Sequence, residues 1–116
     1  MKTVRFELDG LEAAAKGFSA AWRTGRAETD ARIAFQTPEL LWRVLTARRW
    51  ELLQALAGRG TLSTRELARR VGRDVKGVHG DVRALIDAGV LEQGPNGRGV
   101  LFPYDAIHVD FVLKAA

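Results

Sequence analysis

The stretch "STRELARRVGRDVKGVHGDVRALIDAG", Ser63 to Gly89, constrains the fold more than any other part of the chain. Two apolar patterns of helical period run through it, Leu67–Ala68–Val71 and Val75–Val78–Val82–Leu85–Ile86. Only Gly72-Arg73-Asp74 separates them, so the two helices must pack on one another across a tight turn. Ser63 and Glu66 have capping-box spacing at the start of the first helix, and Asp74 stands at the N-cap of the second. Upstream, Thr37-Pro38-Glu39 predicts another helix start, with threonine as cap and proline at the first helical position. That helix runs through Leu41, Trp42 and Leu45. Thr46 then caps a helix in which Trp50, Leu53 and Leu56 face inward, ended by Gly58-Arg59-Gly60.

Strands flank this helical block. "VLEQ" and "VLFPY" border the loop "GPNGRG", whose Asn96-Gly97 is the strongest turn signal in the chain and predicts a β-hairpin. At the start, Val4, Phe6 and Leu8 alternate with Thr3, Arg5 and Glu7, a half-buried strand ending at Asp9-Gly10. Leu11, Ala14, Ala15, Phe18, Ala21 and Trp22 trace an amphipathic helix over 11–23. Ala31, Ile33 and Phe35 mark a second short strand. Ile107, Val109, Phe111 and Leu113 mark a last one over 106–114. The expected fold is α+β, mainly α. Residues 1–36 form a strand–helix–strand extension, and residues 37–116 a helical domain with a hairpin and a final strand.

Charge narrows the function. Residues 59–83 hold seven arginines and lysines against three carboxylates, an excess equal to the net charge of +4 of all 116 residues. A polyanionic partner fits such a concentration. No cysteine is present, which removes disulfides and thiolate metal sites. The first ten residues lack the apolar stretch of a signal peptide, and no apolar run approaches the roughly 20 residues that span a bilayer. A cytoplasmic protein is expected.

The helix from Val75 poses a question of its own. Opposite its apolar face stand Lys76, Gly77, His79, Gly80 and Arg83, although a glycine inside a helix costs about 1 kcal/mol relative to alanine. The order of helix, short capped helix, turn, helix and hairpin over residues 47–103 resembles the winged helix-turn-helix domain. The stretch from Leu62 to Gln93 looks like the DNA-reading part of MarR-like and ArsR-like regulators. It is closer still to a small prokaryotic family of winged-helix transcriptional regulators. In that family "LWRVLTARRWELLQAL", "ELARRVGRDVKGVHGDV" and "FPYDAIHVDF" recur as near-continuous blocks. The resemblance covers roughly residues 35–116. It implies a DNA-binding repressor of its own operon, of the kind found as the antitoxin beside a small toxin, with that toxin as protein partner.

The resemblance implies roles for particular residues. The helix at 75–88 enters the major groove, about 12 Å wide, where Gly77 and Gly80 let its backbone come close. The alternative is that one glycine relieves crowding against another helix. Lys76, His79 and Arg83 lie on the exposed face, and Arg83 is suited to guanine O6 and N7. Arg73 reads a base or binds a phosphate. Ser63, Thr64 and Arg65 are placed to hold phosphate. Of Arg69 and Arg70, one can point away to a carboxylate. Arg98, at the hairpin tip, reaches the minor groove or the backbone, unless it is an ordinary exposed turn arginine. Asp74 is a cap, and Asp81 argues against a purely nonspecific grip.

No catalytic constellation stands out. His79 and His108 each precede an aspartate by two residues, but a metal site needs three or four ligands and no further histidine or cysteine exists. "GPNGRG" lacks the G-K-[ST] of a phosphate-cradling loop. Neither enzyme activity nor a cofactor is expected. Two-fold half-sites call for a homodimer, built from the N-terminal region and the final strand. Those strands can pair within one chain or exchange between two, or simply complete a monomer's core. The rival reading is a winged-helix protein-interaction adaptor. An adaptor has no need of Arg73, Lys76, Arg83 and Arg98 on one side, nor of exposed glycines.

Overall fold

Thr37, Thr46 and Ser63 each begin a helix in the computed structural model, which describes residues 2–8 and 31–111. The threonine at 37 accepts a hydrogen bond from the Leu40 N–H at 3.3 Å, ahead of α1 (Pro38–Val44). Thr46 accepts from the Arg49 N–H at 3.2 Å ahead of α2 (Ala47–Leu56), and Ser63 from the Glu66 N–H at 3.0 Å ahead of α3 (Thr64–Val71). Each bond satisfies an N–H that the helix itself cannot. Asp74 has the extended backbone of an N-cap before α4 (Val75–Asp87), but its side chain makes no capping hydrogen bond. Its charge still suits the positive end of the helix dipole.

The chain divides into residues 43–105 and a second unit of residues 1–42 with 106–116. In the first unit, α3 packs on α4 and α2 packs on both. Their apolar stripes meet through Leu52, Leu53, Leu56, Leu67, Val78 and Leu85, all buried. Trp50 does not join them: it is 41% exposed, and Leu52 takes the inward place. The two lie roughly 200° apart around the helix, so α2 cannot bury both. Val75, expected on the apolar face of α4, is also 41% exposed, at the first turn.

The hairpin pairs β3 (Glu92–Gln93) antiparallel with β4 (Val100–Leu101). Asn96 and Gly97 have φ of 59° and 70°, and the Arg98 N–H bonds the Pro95 carbonyl at 3.1 Å. Two successive positive φ values are what a tight hairpin turn of matching twist requires. Leu62 exchanges both backbone hydrogen bonds with Val100, at 2.9 and 2.8 Å. This pairing, which the sequence pattern did not show, fastens the hairpin to the residue preceding the Ser63 cap.

In the second unit β1 (Thr3–Leu8) is central between β2 (Ala31–Phe35) and β5 (Ala106–Asp110), and both pairings are parallel. Phe6 stands opposite Ile33 and Val109. Val4 and Phe6 are fully buried, and Phe6 meets Phe35 edge-on at 5.9 Å. The alternate residues are polar, and Arg5–Asp110 (3.5 Å) and Arg32–Glu7 (3.4 Å) form ion pairs. The last strand thus belongs with the N-terminal strands rather than with the helices, unlike the expected division at 36/37. The helix expected over 11–23, with Phe18 and Trp22, lies outside the described residues, as do residues 112–114 of the last strand. No helix among the described residues is long and apolar enough to cross a membrane.

Candidate nucleic-acid interface

With Val78, Val82 and Leu85 turned into the core, α4 leaves Lys76, Gly77, His79, Gly80 and Arg83 exposed. Lys76, Gly80 and Arg83 are four and three apart, so they form a single stripe along the helix. Among the described residues no carboxylate pairs with Lys76. Arg83 meets Asp87 at 3.4 Å, but the two side chains are 58% and 62% exposed. Such a surface pair is worth about 0–1 kcal/mol and exchanges readily for a better partner. A Cβ built at Gly80 would meet nothing within 4 Å. No packing requirement among the described residues accounts for this glycine.

Gly77 has an internal neighbour instead. A Cβ there would meet Arg73 Nη2 at 3.4 Å. The side chain of Arg73 is only 16% exposed, and its guanidinium reaches Asp81 at 2.8 Å. Asp81 also accepts from Arg49 Nε at 3.0 Å, and Arg49 Nη1 donates at 3.0 Å to the carbonyls of Arg43 and Val44 at the end of α1. Arg73 is therefore engaged inside the helical unit and not presented to a base or phosphate, which corrects the expectation for it. Arg73 precedes the Asp74 cap, and its side chain runs along the first turns of α4 past Gly77 to the carboxylate. Burial pushes the Asp81 carboxyl up, but hydrogen bonds from Arg49 and Arg73 and their charges outweigh it and hold it below its usual value. Two guanidinium groups share one carboxylate, and the second nitrogen of Arg73, Nη1, is buried without a hydrogen-bond partner. Asp81 is thus a structural acceptor, its charge balanced by two guanidinium groups. Arg49 had no sequence signal, being 32 residues from Asp81. A lone acid on a basic helix face was the available clue to the other half of the network.

The remaining expected residues sit on α3 and the hairpin. The Ser63 hydroxyl oxygen is committed to its cap, and Arg65 is exposed beside it. Both Arg69 and Arg70 hold Glu66, at 2.6 and 3.0 Å, where one such pair was expected. Hydrogen bonds from Arg69 and then Arg70 keep that carboxyl below its usual range. Arg98 is exposed after the hairpin turn and pairs with no carboxylate among the described residues. Thr64, His79 and Arg83 line one open depression of about 110 Å³ together with Gln93 and with Gly97 and Gly99, the neighbours of Arg98. Gln93 was not singled out in the sequence, because a lone glutamine in a two-residue strand carries no pattern.

The model of one protein family, HVO_A0114, matches residues 44–109, a span that contains α2, α3, α4 and the hairpin. Neither a curated protein nor a solved structure matches the chain.

Proposed function

The chain belongs to the HVO_A0114 family, and we propose that the part matching it is a winged helix-turn-helix that binds double-stranded DNA in a sequence-specific manner. In this reading α4 lies in the major groove with the Lys76–Gly80–Arg83 stripe toward the bases, and the hairpin is the wing. The observation that carries the reading is Gly80, an exposed glycine in the middle of a helix with open space around it and cations on both sides. A position that forgoes about 1 kcal/mol of helix stability without serving internal packing is expected where the backbone must approach a partner closely. Arg98 on the wing supplies a backbone or minor-groove contact, and Arg65 a phosphate contact beside the start of α3.

The protein then acts as a transcriptional regulator, a dimeric repressor of its own operon. β2 and β5 are the edges of the described parallel sheet, the positions at which a second copy would add a strand. Light scattering on the full chain checks that assembly. The deciding experiment is a fluorescence-anisotropy titration with DNA from upstream of the protein's own gene, against scrambled duplex, at several salt concentrations. A preference of at least about 10³-fold with a steep salt slope is expected. Weak and equal binding to both duplexes would leave the helical unit as an adaptor for a protein partner.

A further inference from the structure

The depression between α4 and the hairpin has a donor set that singles out its occupant. Four residues with polar side chains line it: Thr64, His79, Arg83 and Gln93. Each can donate a hydrogen bond, and no carboxylate lines the space. Val82, Ile86 and Val100 give it an apolar floor, with Val82 and Val100 buried. At about 110 Å³ it is well below the roughly 300–1,000 Å³ of pockets that enclose a drug-sized ligand. It therefore suits one small anionic group presented from a larger surface better than a free organic effector.

Position identifies that surface. The space lies between the helix assigned to the major groove and the hairpin assigned to the neighbouring minor groove. The sugar-phosphate backbone that divides those two grooves must pass between these two elements. We infer that the depression seats one deoxyribose-phosphate unit of the bound DNA, the phosphodiester on Thr64, His79 and Gln93 and the sugar's C–H face on Ile86, the half-buried residue of the apolar floor. Arg83 adds positive charge at the rim, since its exposed pair with Asp87 gives way easily. This makes Gln93 a DNA-contacting residue and gives Thr64 and His79 a positioning contact rather than a base-reading one. The inference rests on the DNA-binding reading above.

The test uses the full-length protein and its own upstream duplex carrying single uncharged methylphosphonate linkages, one position at a time, read by fluorescence anisotropy. For the wild type, one linkage per half-site should lower affinity about tenfold, the effect of losing one charge-assisted hydrogen bond. The Thr64→Ala/Gln93→Ala double variant should bind unmodified DNA about tenfold more weakly on every sequence, and lose less than twofold further at that linkage. Gln93→Glu, which places a negative charge at the rim, should weaken binding more than Gln93→Ala. Thermal melting of each variant shows whether the fold is kept, and Gln93 is an exposed strand residue whose change leaves the core intact. Coincident linkage profiles for wild type and double variant, with wild-type DNA binding intact, would overturn this assignment alone. Displacement of the duplex by inorganic phosphate at constant ionic strength would instead identify a free-phosphate site and also overturn it. Absence of any sequence preference in the wild type would overturn the DNA reading itself.

Discussion

With α4 against DNA as proposed, replacing Gly80 with alanine should make the protein more stable and weaken DNA binding at the same time. Gly80 lies in the interior of the 13-residue helix α4, where alanine exceeds glycine by about 1 kcal/mol. A methyl group there meets nothing within 4 Å, so no steric penalty offsets the gain. For a unit of this size the change raises the melting temperature by about 4–8 °C. If the backbone at 80 is the point of closest approach to the bases, the same methyl holds the helix off the groove. Lys76 and Arg83 on either side then lose reach, and a loss of at least about tenfold, or 1.4 kcal/mol, is expected.

Gly77→Ala is the internal comparison. Its methyl group would touch Arg73 Nη2 at 3.4 Å, so both the stability gain and the affinity loss should be smaller than at Gly80. Thermal melting followed by circular dichroism reads the first quantity, and anisotropy on the upstream duplex reads the second. The opposing signs are diagnostic, because a substitution that merely damages the fold lowers stability and binding together. A Gly80→Ala variant that melts higher and binds with wild-type affinity would refute the close approach.

Other substitutions probe the surroundings of that face. Asp81→Ala should cost about 2–3 kcal/mol in urea denaturation, because it leaves two mostly buried guanidinium groups without their anion. The Asp81 carboxyl is depressed in the folded state, so its contribution is present above the unfolded value near 3.8 and lost as pH falls through the lower folded value. The stability gap between wild type and Asp81→Ala should accordingly close in that acid range and stay constant at neutral pH. Arg83→Ala should relax discrimination between related sequences, whereas Arg98→Ala should weaken all of them alike and lower the salt slope by about one; equal losses on every sequence for Arg83→Ala would remove its base-reading role. Ser63→Ala should lower stability by about 1 kcal/mol through the lost cap and leave the ratio of own to scrambled DNA unchanged.

The features legible in the sequence are those whose cause is local. Thr37, Thr46 and Ser63 reveal helix starts because a capping oxygen bonds an N–H three residues on. Asn96-Gly97 reveals a turn because two successive residues must take positive φ. Alternation marked β1, β2 and β5 as strands but could not order them, since parallel neighbours are joined by long connections. Thr3 meets Ala106 from the far end of the chain.

Arg73 shows the same limit at the level of one side chain. By composition it is one more cation on a basic face, and only Asp81, drawn in from the other side by Arg49, turns it inward. The sequence did not show it, because Arg73 stands before the Asp74 cap and outside the helical periodicity that would place it beside Asp81. Gly80 has no corresponding pair: of the cations on its stripe, Lys76 meets no carboxylate among the described residues, and Arg83 meets only the exposed Asp87, one turn beyond it. Two glycines that look equivalent in the sequence therefore separate once neighbours are known. Gly77 makes room for an arginine that the protein uses on itself. Gly80 is left facing outward between two cations, and the case for a polyanion against α4 rests on that asymmetry rather than on the total charge.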